Sequence, residues 1–183
     1  TVTNSATEAL LLEYNLTYLR KWLEIGVDVV WHHGDIGSQK GPVIHPDTFR
    51  KYLKPAYTEM FQLCRRAGAH VWYSSDGNQL ALVDDLVECG VSLHDPQERP
   101  NTIDGIRGHY RGKLCALVDL DEQMLPFATP GEIDEHVEEI VAKLGAPEGG
   151  LMLFAIPSQD VPIENIEAIY SAWERHCFHG WRP

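Results

Sequence analysis

The sequence predicts an α/β fold in which helices cover a parallel β-sheet. Segments with the three- and four-residue spacing of amphipathic helices alternate with short β-rich segments along the chain. The β-rich segments are continuously apolar, which is typical of strands buried on both faces of a parallel sheet. A length of 183 residues is enough for one well-packed domain, and we treat residues 1–183 as a single domain.

Five strands and the helices between them follow from this pattern. The predicted strands span residues 27–31, 69–73, 91–93, 114–118 and 151–156. The predicted helices span residues 9–23, 46–53, 82–90, 102–109 and 130–144, with a last one beginning at Pro162. Two architectures contain such a repeat, namely an open doubly wound sheet and part of a (β/α)8 barrel. A complete barrel needs eight strands and about 250 residues, which is more than this chain has.

Individual residues mark where the elements begin and end. Gly26 ends the first helix. Pro55 cannot lie in a helix interior, so the second helix is kinked there or begins again with Pro55 in its first turn. Thr129 and Glu132 form a capping box at the start of a later helix. Residues 34–42 are rich in glycine and predict an irregular loop.

Hydrogen-bonding side chains follow every predicted strand. In parallel α/β folds, binding and catalysis take place at the carboxyl ends of the strands, where the loops that follow them meet. An aspartate is found in each of these loops: Asp35, Asp76, Asp95, Asp119 and Asp160. This repetition along one edge of the sheet indicates a functional site there.

The candidate site residues come from these loops. We assign catalytic roles to His33, Asp35 and Asp76. The residues expected to bind the substrate are Gln39, Ser74, Asn78, His94, Asp119, Asp121 and Ser158. His32 and His33 are adjacent in a strand, so their side chains point to opposite faces and only one of them can face the site.

Composition and motifs exclude several classes of function. The 15 Lys and Arg residues against 27 Asp and Glu give a net charge of −12, which disfavours nucleic acids and anionic membranes as partners. No apolar segment is long enough to span a bilayer and the N-terminus lacks the pattern of a signal peptide, so we expect a cytoplasmic protein. The GxGxxG, HExxH, GxSxG and Walker motifs are absent. We expect no cofactor; a divalent cation would have to combine the loop residues Asp35, Asp76, His94 and Asp119.

Four loop sequences, in their order along the chain, resemble those of the uroporphyrinogen decarboxylase superfamily. They are residues 34–42 together with 45–49, residues 74–78, residues 118–121 and residues 160–166. The resemblance covers roughly residues 10–175. It implies a (β/α)8 TIM-barrel fold, of which this chain would form the C-terminal part with about five βα units.

This resemblance implies two chemistries. One is the cofactor-free decarboxylation of the acetate side chains of uroporphyrinogen. The other is methyl transfer to or from corrinoid or thiol carriers, usually with a zinc ion on a His-x-Cys pair and a later Cys. The pair falls at residues 74–76 and the later Cys near Ser158, so this chain lacks the thiolate ligands. The decarboxylases' catalytic histidine has no counterpart at residues 156–159, which leaves His33 as the nearest candidate proton donor.

We therefore expect a uroporphyrinogen decarboxylase-like carboxy-lyase, or a fragment of one, as the resemblance implies. The alternatives are a corrinoid- or thiol-dependent methyltransferase without the usual zinc site, and a non-catalytic binding domain. The expected partner is a small molecule, either a tetrapyrrole or a methylated compound. An acidic rim suits pyrrole N–H groups but repels carboxylates, so cations that hold a polycarboxylate would have to come from outside this chain. An open sheet edge also predicts a homo-oligomer.

Overall fold

Five parallel strands form the main sheet, and helices pack against one of its faces. The computed structural model describes residues 5–177. In chain order, the elements are α1 (Ser5–Ile25), β1 (Val29–His33), β2 (Gly37–Ser38), β3 (Gly41–Pro42), α2 (Pro46–Thr48), a π-helical turn (Phe49–Leu53), α3 (Lys54–Arg66), β4 (His70–Ser74), a 3-10 turn (Leu80–Leu82), α4 (Val83–Cys89), β5 (Leu93–His94), α5 (Glu98–Asn101), α6 (Ile103–Tyr110), β6 (Cys115–Asp119), α7 (Pro130–Leu144), β7 (Leu151–Phe154) and α8 (Ile163–His176).

The order of the strands in the main sheet identifies the architecture. The order is β1, β4, β5, β6, β7, and every neighbouring pair is parallel. A doubly wound sheet reverses its strand order at a switch point, whereas a (β/α)8 barrel adds its strands consecutively around the axis. The sheet is therefore an arc of a barrel, which confirms the predicted fold class and its five βα units.

The two faces of the main sheet have different surroundings. Side chains that face the helices, such as Val71 and Val118, are fully buried. The inner face carries Trp31 and Trp72, whose ring centroids are 5.8 Å apart, and Met152. Trp31 is 61 % exposed and Met152 is 50 % exposed. In a closed barrel this face lines the interior, so it is the face that the rest of a complete barrel would cover.

The start and end signals in the sequence act as predicted. Pro55 lies in the first turn of α3, directly after the π-helical turn, so the helix does begin again there. Thr129 Oγ1 accepts a hydrogen bond from the backbone N–H of Glu132, and Glu132 Oε2 accepts one from the backbone N–H of Thr129. Gly90 ends α4 with a φ of 114°, in the left-handed region that favours glycine.

Some predicted boundaries differ from the structure. The first strand lies two residues later than expected, and the third is only Leu93–His94. Pairing with β4 sets both limits, because a strand extends only as far as its neighbour offers backbone partners. The loop over residues 34–42 contains the β2–β3 hairpin, in which Ser38 Oγ donates to Gly41 O at 2.7 Å. Within residues 5–177, no helix combines the length and apolarity needed to cross a bilayer.

Candidate active site

Carboxyl groups from three strand ends lie together at the carboxyl edge of the main sheet. We call this set the rim carboxylates, and it consists of Asp76 after β4, Asp95 after β5, Asp119 at the end of β6 and Glu122 in the following loop. Gln97 connects them, because its Nε2 donates to Asp76 Oδ1 at 3.1 Å and its backbone pairs with that of Asp119. The barrel arc thus collects four carboxyl groups from separate parts of the chain.

Asp119 is buried among the rim carboxylates. It is 9 % exposed, and its Oδ1 has no hydrogen-bond partner. Burial raises the pKa of Asp119 from 3.8 to about 8, with further contributions from Glu122, Asp95 and Asp76. Asp119 is therefore mostly protonated at neutral pH. A protonated carboxyl group beside an open cleft can act as a proton donor.

Asp95 lies on the inner face of the sheet and is held by several donors. Trp72 Nε1 donates to Asp95 Oδ2 at 3.1 Å, and the backbone N–H of Ser75 donates to Asp95 Oδ1 at 3.3 Å. Burial nevertheless raises the pKa of Asp95, because it outweighs the hydrogen bonds from Ser74, Trp72 and Ser75. Asp95 thus adds a partly desolvated carboxyl group next to Asp119.

His33 and the two aspartates predicted to be catalytic line the adjoining part of the rim. His33 Nδ1 lies 3.4 Å from Ser74 Oγ, and His33 Nε2 lies 3.7 Å from Asp35 Oδ1. Asp35 Oδ1 accepts a hydrogen bond of 3.0 Å from the backbone N–H of Asp76. His33, Asp35 and Asp76 are exposed, and Ser74 is half-buried. The structure therefore brings these four candidates together at the ends of β1 and β4.

The turn after β4 places Asp76 through close backbone packing. Gly77 has a φ of 82°, and a Cβ atom there would lie 2.5 Å from the carbonyl carbon of Gly37, so only glycine fits. Two buried amides bind the same turn. Asn101 Nδ2 donates to Gly77 O at 3.0 Å, and Gln79 Nε2 donates to Asp76 O at 3.1 Å. These contacts fix the backbone from which the Asp76 carboxylate projects.

A cleft of about 90 Å³ lies beside Asp119. Gln39 and Glu122 line it, together with the ion pair of Arg99 and Asp121. Arg99 Nε lies 2.9 Å from each carboxylate oxygen of Asp121, so the charge of this arginine is already neutralised. The cleft is large enough for a small polar group, and its uncompensated charge is negative.

His94 faces the helices and is separated from the other candidate residues. Its Nδ1 lies 2.5 Å from Tyr110 Oη and its Nε2 lies 3.3 Å from Gln79 Oε1. The rings of His32, Tyr73, His94 and Tyr110 form a continuous stack, with centroid separations of 5.8, 5.7 and 5.5 Å. His94 is therefore part of the core rather than of the rim to which the sequence assigns it. His32 and His33 do point to opposite faces, as expected.

Three further candidates are engaged by neighbouring groups of the protein. Asn78 Nδ2 donates to Pro100 O at 2.6 Å, which ties the turn after β4 to α5. Asp121 is paired with Arg99 at the cleft. Ser158 Oγ donates to Asp160 Oδ1 at 2.5 Å in the exposed loop after β7. Asn78 and Ser158 therefore shape loops, whereas Asp121 contributes to the cleft wall.

The sequence-based set omits Asp95, Gln97 and Glu122, which the structure places at the rim. Asp95 and Gln97 follow the third predicted strand directly, so their position after a strand is the signal that points to them. Glu122 carries no such signal. Its proximity to Asp119 depends on the path of the loop after β6, which the sequence pattern does not specify.

The donor atoms of the rim do not fit a thiolate zinc site. At the positions where the resemblance would place zinc ligands, Ser74 and Ser158 offer only hydroxyl groups, and Cys64 and Cys89 are buried in the helical layer. In the part of the chain that the structure describes, no three His, Cys, Asp or Glu side chains are placed to share a metal ion. The combination of three aspartates with His94 is not assembled, because His94 faces the helices.

Solved structures with similar folds include a methyltransferase, a dihydropteroate synthase and an aldolase. A methyltransferase from Methanosarcina mazei is 19% identical with a TM-score of 0.66, and the match covers 90% of this chain and 47% of that chain. A dihydropteroate synthase from Yersinia pestis is 17% identical with a TM-score of 0.57, covering 92% and 65%. An HpcH/HpaI aldolase from Desulfitobacterium hafniense DCB-2 is 13% identical with a TM-score of 0.54, covering 90% and 71%. At these identities the likeness shows the fold alone.

The extent of these matches also shows how much of a barrel is present. This chain spans about half the length of the methyltransferase and less than two thirds of the Yersinia pestis synthase. No curated protein matches the chain. The model of the family described as uroporphyrinogen decarboxylase (URO-D) matches residues 7–176. Because this match extends over almost the whole sequence, the chain belongs to the uroporphyrinogen decarboxylase family.

Proposed function

We propose that the protein containing this chain is a carboxy-lyase that removes acetate carboxyl groups from a tetrapyrrole such as uroporphyrinogen, with Asp119 as the proton donor. The observation that supports this most is the buried Asp119 carboxyl group, which has an unpartnered oxygen and a pKa raised to about 8. When CO2 leaves, the electron pair of the broken C–C bond remains on carbon. That carbon must gain a proton to become a methyl group, and a carboxyl group that is protonated at neutral pH can supply it.

The charge of the rim favours such a step. A substrate carboxylate beside Asp76, Asp95 and Glu122 is repelled, and the departure of neutral CO2 removes this repulsion. One proton is consumed for each CO2 released, because an acetate side chain (R–CH2–COO−) and a proton give a methyl group (R–CH3) and CO2. The proton lost from Asp119 is replaced from solvent through the open cleft, and His33 is the second candidate donor at this edge.

The remaining carboxylates of such a substrate need cations that this rim does not provide. The arginine at the cleft, Arg99, is paired with Asp121. Since the chain spans about half of the methyltransferase that it matches, we infer that the cationic side chains belong to the rest of the barrel. The rim described here would then supply acid–base chemistry, while the other part holds the substrate's charged periphery.

An anaerobic assay of the full-length protein tests the proposal. Coproporphyrinogen formation from uroporphyrinogen is expected, and Asp119→Asn is expected to reduce kcat by about 100-fold or more, as for loss of a general acid. The matched control is Asp104→Asn, because Asp104 is an exposed aspartate paired with Lys143 on the helical layer. A wild-type protein without this activity would overturn the proposal. An Asp119→Asn variant that keeps wild-type kcat would overturn the role of Asp119.

Methyl transfer to a corrinoid or thiol carrier is the second candidate. The same Asp119 carboxyl group favours it, because a proton donor can stabilise the leaving group of a methyl donor. The rim donors described here include no thiolate, so in this scheme the reaction would use another metal or none. Metal analysis of the purified protein, followed by the same analysis of Asp76→Ala, separates the two candidates. Stoichiometric metal that is lost in the variant favours methyl transfer.

A further inference from the structure

A second, larger groove lies next to the rim carboxylates, between the loop after β6 and α7. It has a volume of about 580 Å³ and is lined by the loop after β6, by the first turns of α7 and by Arg99 of α5. All of its walls come from elements that the structure describes. Arg99 and Asp121 line both this groove and the cleft beside Asp119.

The floor of this groove is apolar. It consists of Met124, Phe127 and Ala128 from the loop after β6. Phe127 is 86 % exposed, whereas Met124 and Ala128 are half-buried and pack against the core around α7. A large aromatic side chain at this exposure offers contact area to a binding partner, since Phe is among the side chains that contribute most to recognition surfaces.

The wall of the groove is acidic. Glu132, Glu135 and Glu139 lie one turn apart along α7 and border the floor. Glu132 is hydrogen-bonded to the uncharged Thr129, so its negative charge is not neutralised by that contact. Glu139 is paired with Lys143 at 2.8 Å.

The cations at the groove are already paired with other carboxylates. Arg99 forms a bidentate ion pair with Asp121, and His136 Nε2 lies 2.8 Å from Glu98 Oε2. Burial lowers the pKa of His136, but Glu98 more than offsets this effect and the pKa is raised. The groove therefore presents an apolar floor beside uncompensated negative charge.

We propose that this groove binds a basic, amphipathic polypeptide segment of a partner protein, with an apolar side chain on Phe127 and Met124 and a Lys or Arg beside Glu135 and Glu132. Charge complementarity selects such a segment over an acidic one, and the apolar floor selects it over a purely cationic one. Because Arg99 and Asp121 belong to both cavities, the bound segment would lie directly beside the candidate active site.

The test measures binding of three synthetic peptides to the full-length protein by calorimetry. The probe is acetyl-(Lys-Leu)4-amide, and the controls are acetyl-(Glu-Leu)4-amide and acetyl-(Lys-Ser)4-amide. The probe is expected to bind at least about tenfold more tightly than either control. Glu135→Lys is expected to weaken binding of the probe about fivefold, and Phe127→Ser about threefold or more. Both residues are exposed, so the variants retain the fold.

Matched variants separate a local site from the overall charge of the protein. Glu148→Lys makes the same change in net charge on an exposed loop beyond the far end of α7, and Val43→Ser removes an exposed apolar side chain elsewhere. Neither is expected to change binding. Equal losses in Glu135→Lys and Glu148→Lys, or equal binding of the acidic peptide, would overturn the proposal. It would also be overturned if light scattering showed self-association that Phe127→Ser abolishes, because a second copy of this chain would then occupy the groove.

Discussion

The indole Nε1 of Trp72 donates a hydrogen bond of 3.1 Å to Oδ2 of Asp95. This bond joins the inner face of β4 to the loop after β5, and it holds a half-buried carboxyl group that contributes to the raised pKa of Asp119. The Trp72 ring also lies 5.8 Å from that of Trp31 on β1. The aromatic side chains of the inner face are thus directly connected to the rim carboxylates.

Replacing Trp72 with Phe is expected to destabilise the protein by about 1–2 kcal/mol. The ring volume is largely kept, but Asp95 loses a donor while it remains partly buried, and a buried acceptor without its partner carries a desolvation penalty. Urea denaturation at neutral pH measures the change. Trp22→Phe, on the outer helix α1, is the control and should differ little from the wild type. An unchanged midpoint for Trp72→Phe would contradict the structural role of this hydrogen bond.

The stability of the protein should fall as the pH rises through the range in which Asp119 ionises. Burial raises the pKa of Asp119 to about 8, so the folded state holds a proton that the unfolded state releases above about pH 4. The stability linked to this proton is present below pH 4 and is lost as the pH rises through 8. Asp119→Asn should remove this dependence. Between about pH 5 and pH 8, the free energy of unfolding of the variant should therefore rise by about 2 kcal/mol or more relative to that of the wild type.

Urea denaturation of both proteins across that range is the measurement. The Asp104→Asn variant should follow the wild-type curve, because Asp104 is exposed. Parallel curves for the wild type and Asp119→Asn would show that Asp119 ionises normally, and would also remove the main support for its proposed role as an acid.

Asp85 holds two cations on the outer surface and should be far more sensitive than its neighbour Asp84. Its side chain is 7% exposed, and it pairs with Lys54 Nζ at 2.8 Å and with Arg50 Nε at 3.0 Å. Asp85→Asn leaves both cations without their shared anion and is expected to cost about 2–4 kcal/mol. Asp84 is 72% exposed and pairs with Lys113, so Asp84→Asn is expected to change stability by less than about 1 kcal/mol.

Thermal and urea unfolding of the two aspartate variants compare them directly. The adjacent positions make the same chemical change on the same helix, so the difference between them reports burial and ion pairing alone. Similar stabilities for the two variants would show that the cluster around Asp85 contributes little.

His94 should make the protein sensitive to acid. Burial lowers the pKa of His94 from 6.5 to about 3, so the unfolded state binds a proton between these values that the folded state does not. The stability linked to His94 is present above pH 6.5 and is lost as the pH falls towards 3. His94→Gln should reduce the slope of the free energy of unfolding against pH by about 1.4 kcal/mol per pH unit. The control is His45→Gln, at an exposed position, which should leave that slope unchanged. Denaturation curves between about pH 4 and pH 7 test this, and equal slopes for all three proteins would contradict it.

Local signals in the sequence were sufficient to predict most of the elements. Pro55 acts through its ring, Thr129 through its hydroxyl group and Gly90 through its access to positive φ, and the structure places each helix boundary where these local properties predict it. The apolar strands and their polar ends likewise predicted a parallel sheet with a functional edge. These features depend on interactions between residues that are close in the chain, which is why a single sequence contains them.

Other features depend on contacts that the chain makes only after folding. Strand β5 contains only Leu93 and His94. A strand this short has no alternating pattern of polar and apolar side chains that would show which of its residues faces the helices. Glu122 approaches Asp119 through the path of a loop. The consecutive strand order, which distinguishes a barrel arc from a doubly wound sheet, is a property of long-range pairing.

The sequence by itself determined the α/β class, the five βα units and the edge of the sheet that carries the polar side chains. Only the tertiary structure decided that Asp119 is the buried member of the rim carboxylates. Its raised pKa comes from desolvation together with Glu122, Asp95 and Asp76, which lie in three different loops. Local composition cannot specify such an electrostatic environment, because the charges that create it become neighbours only when the strands pair.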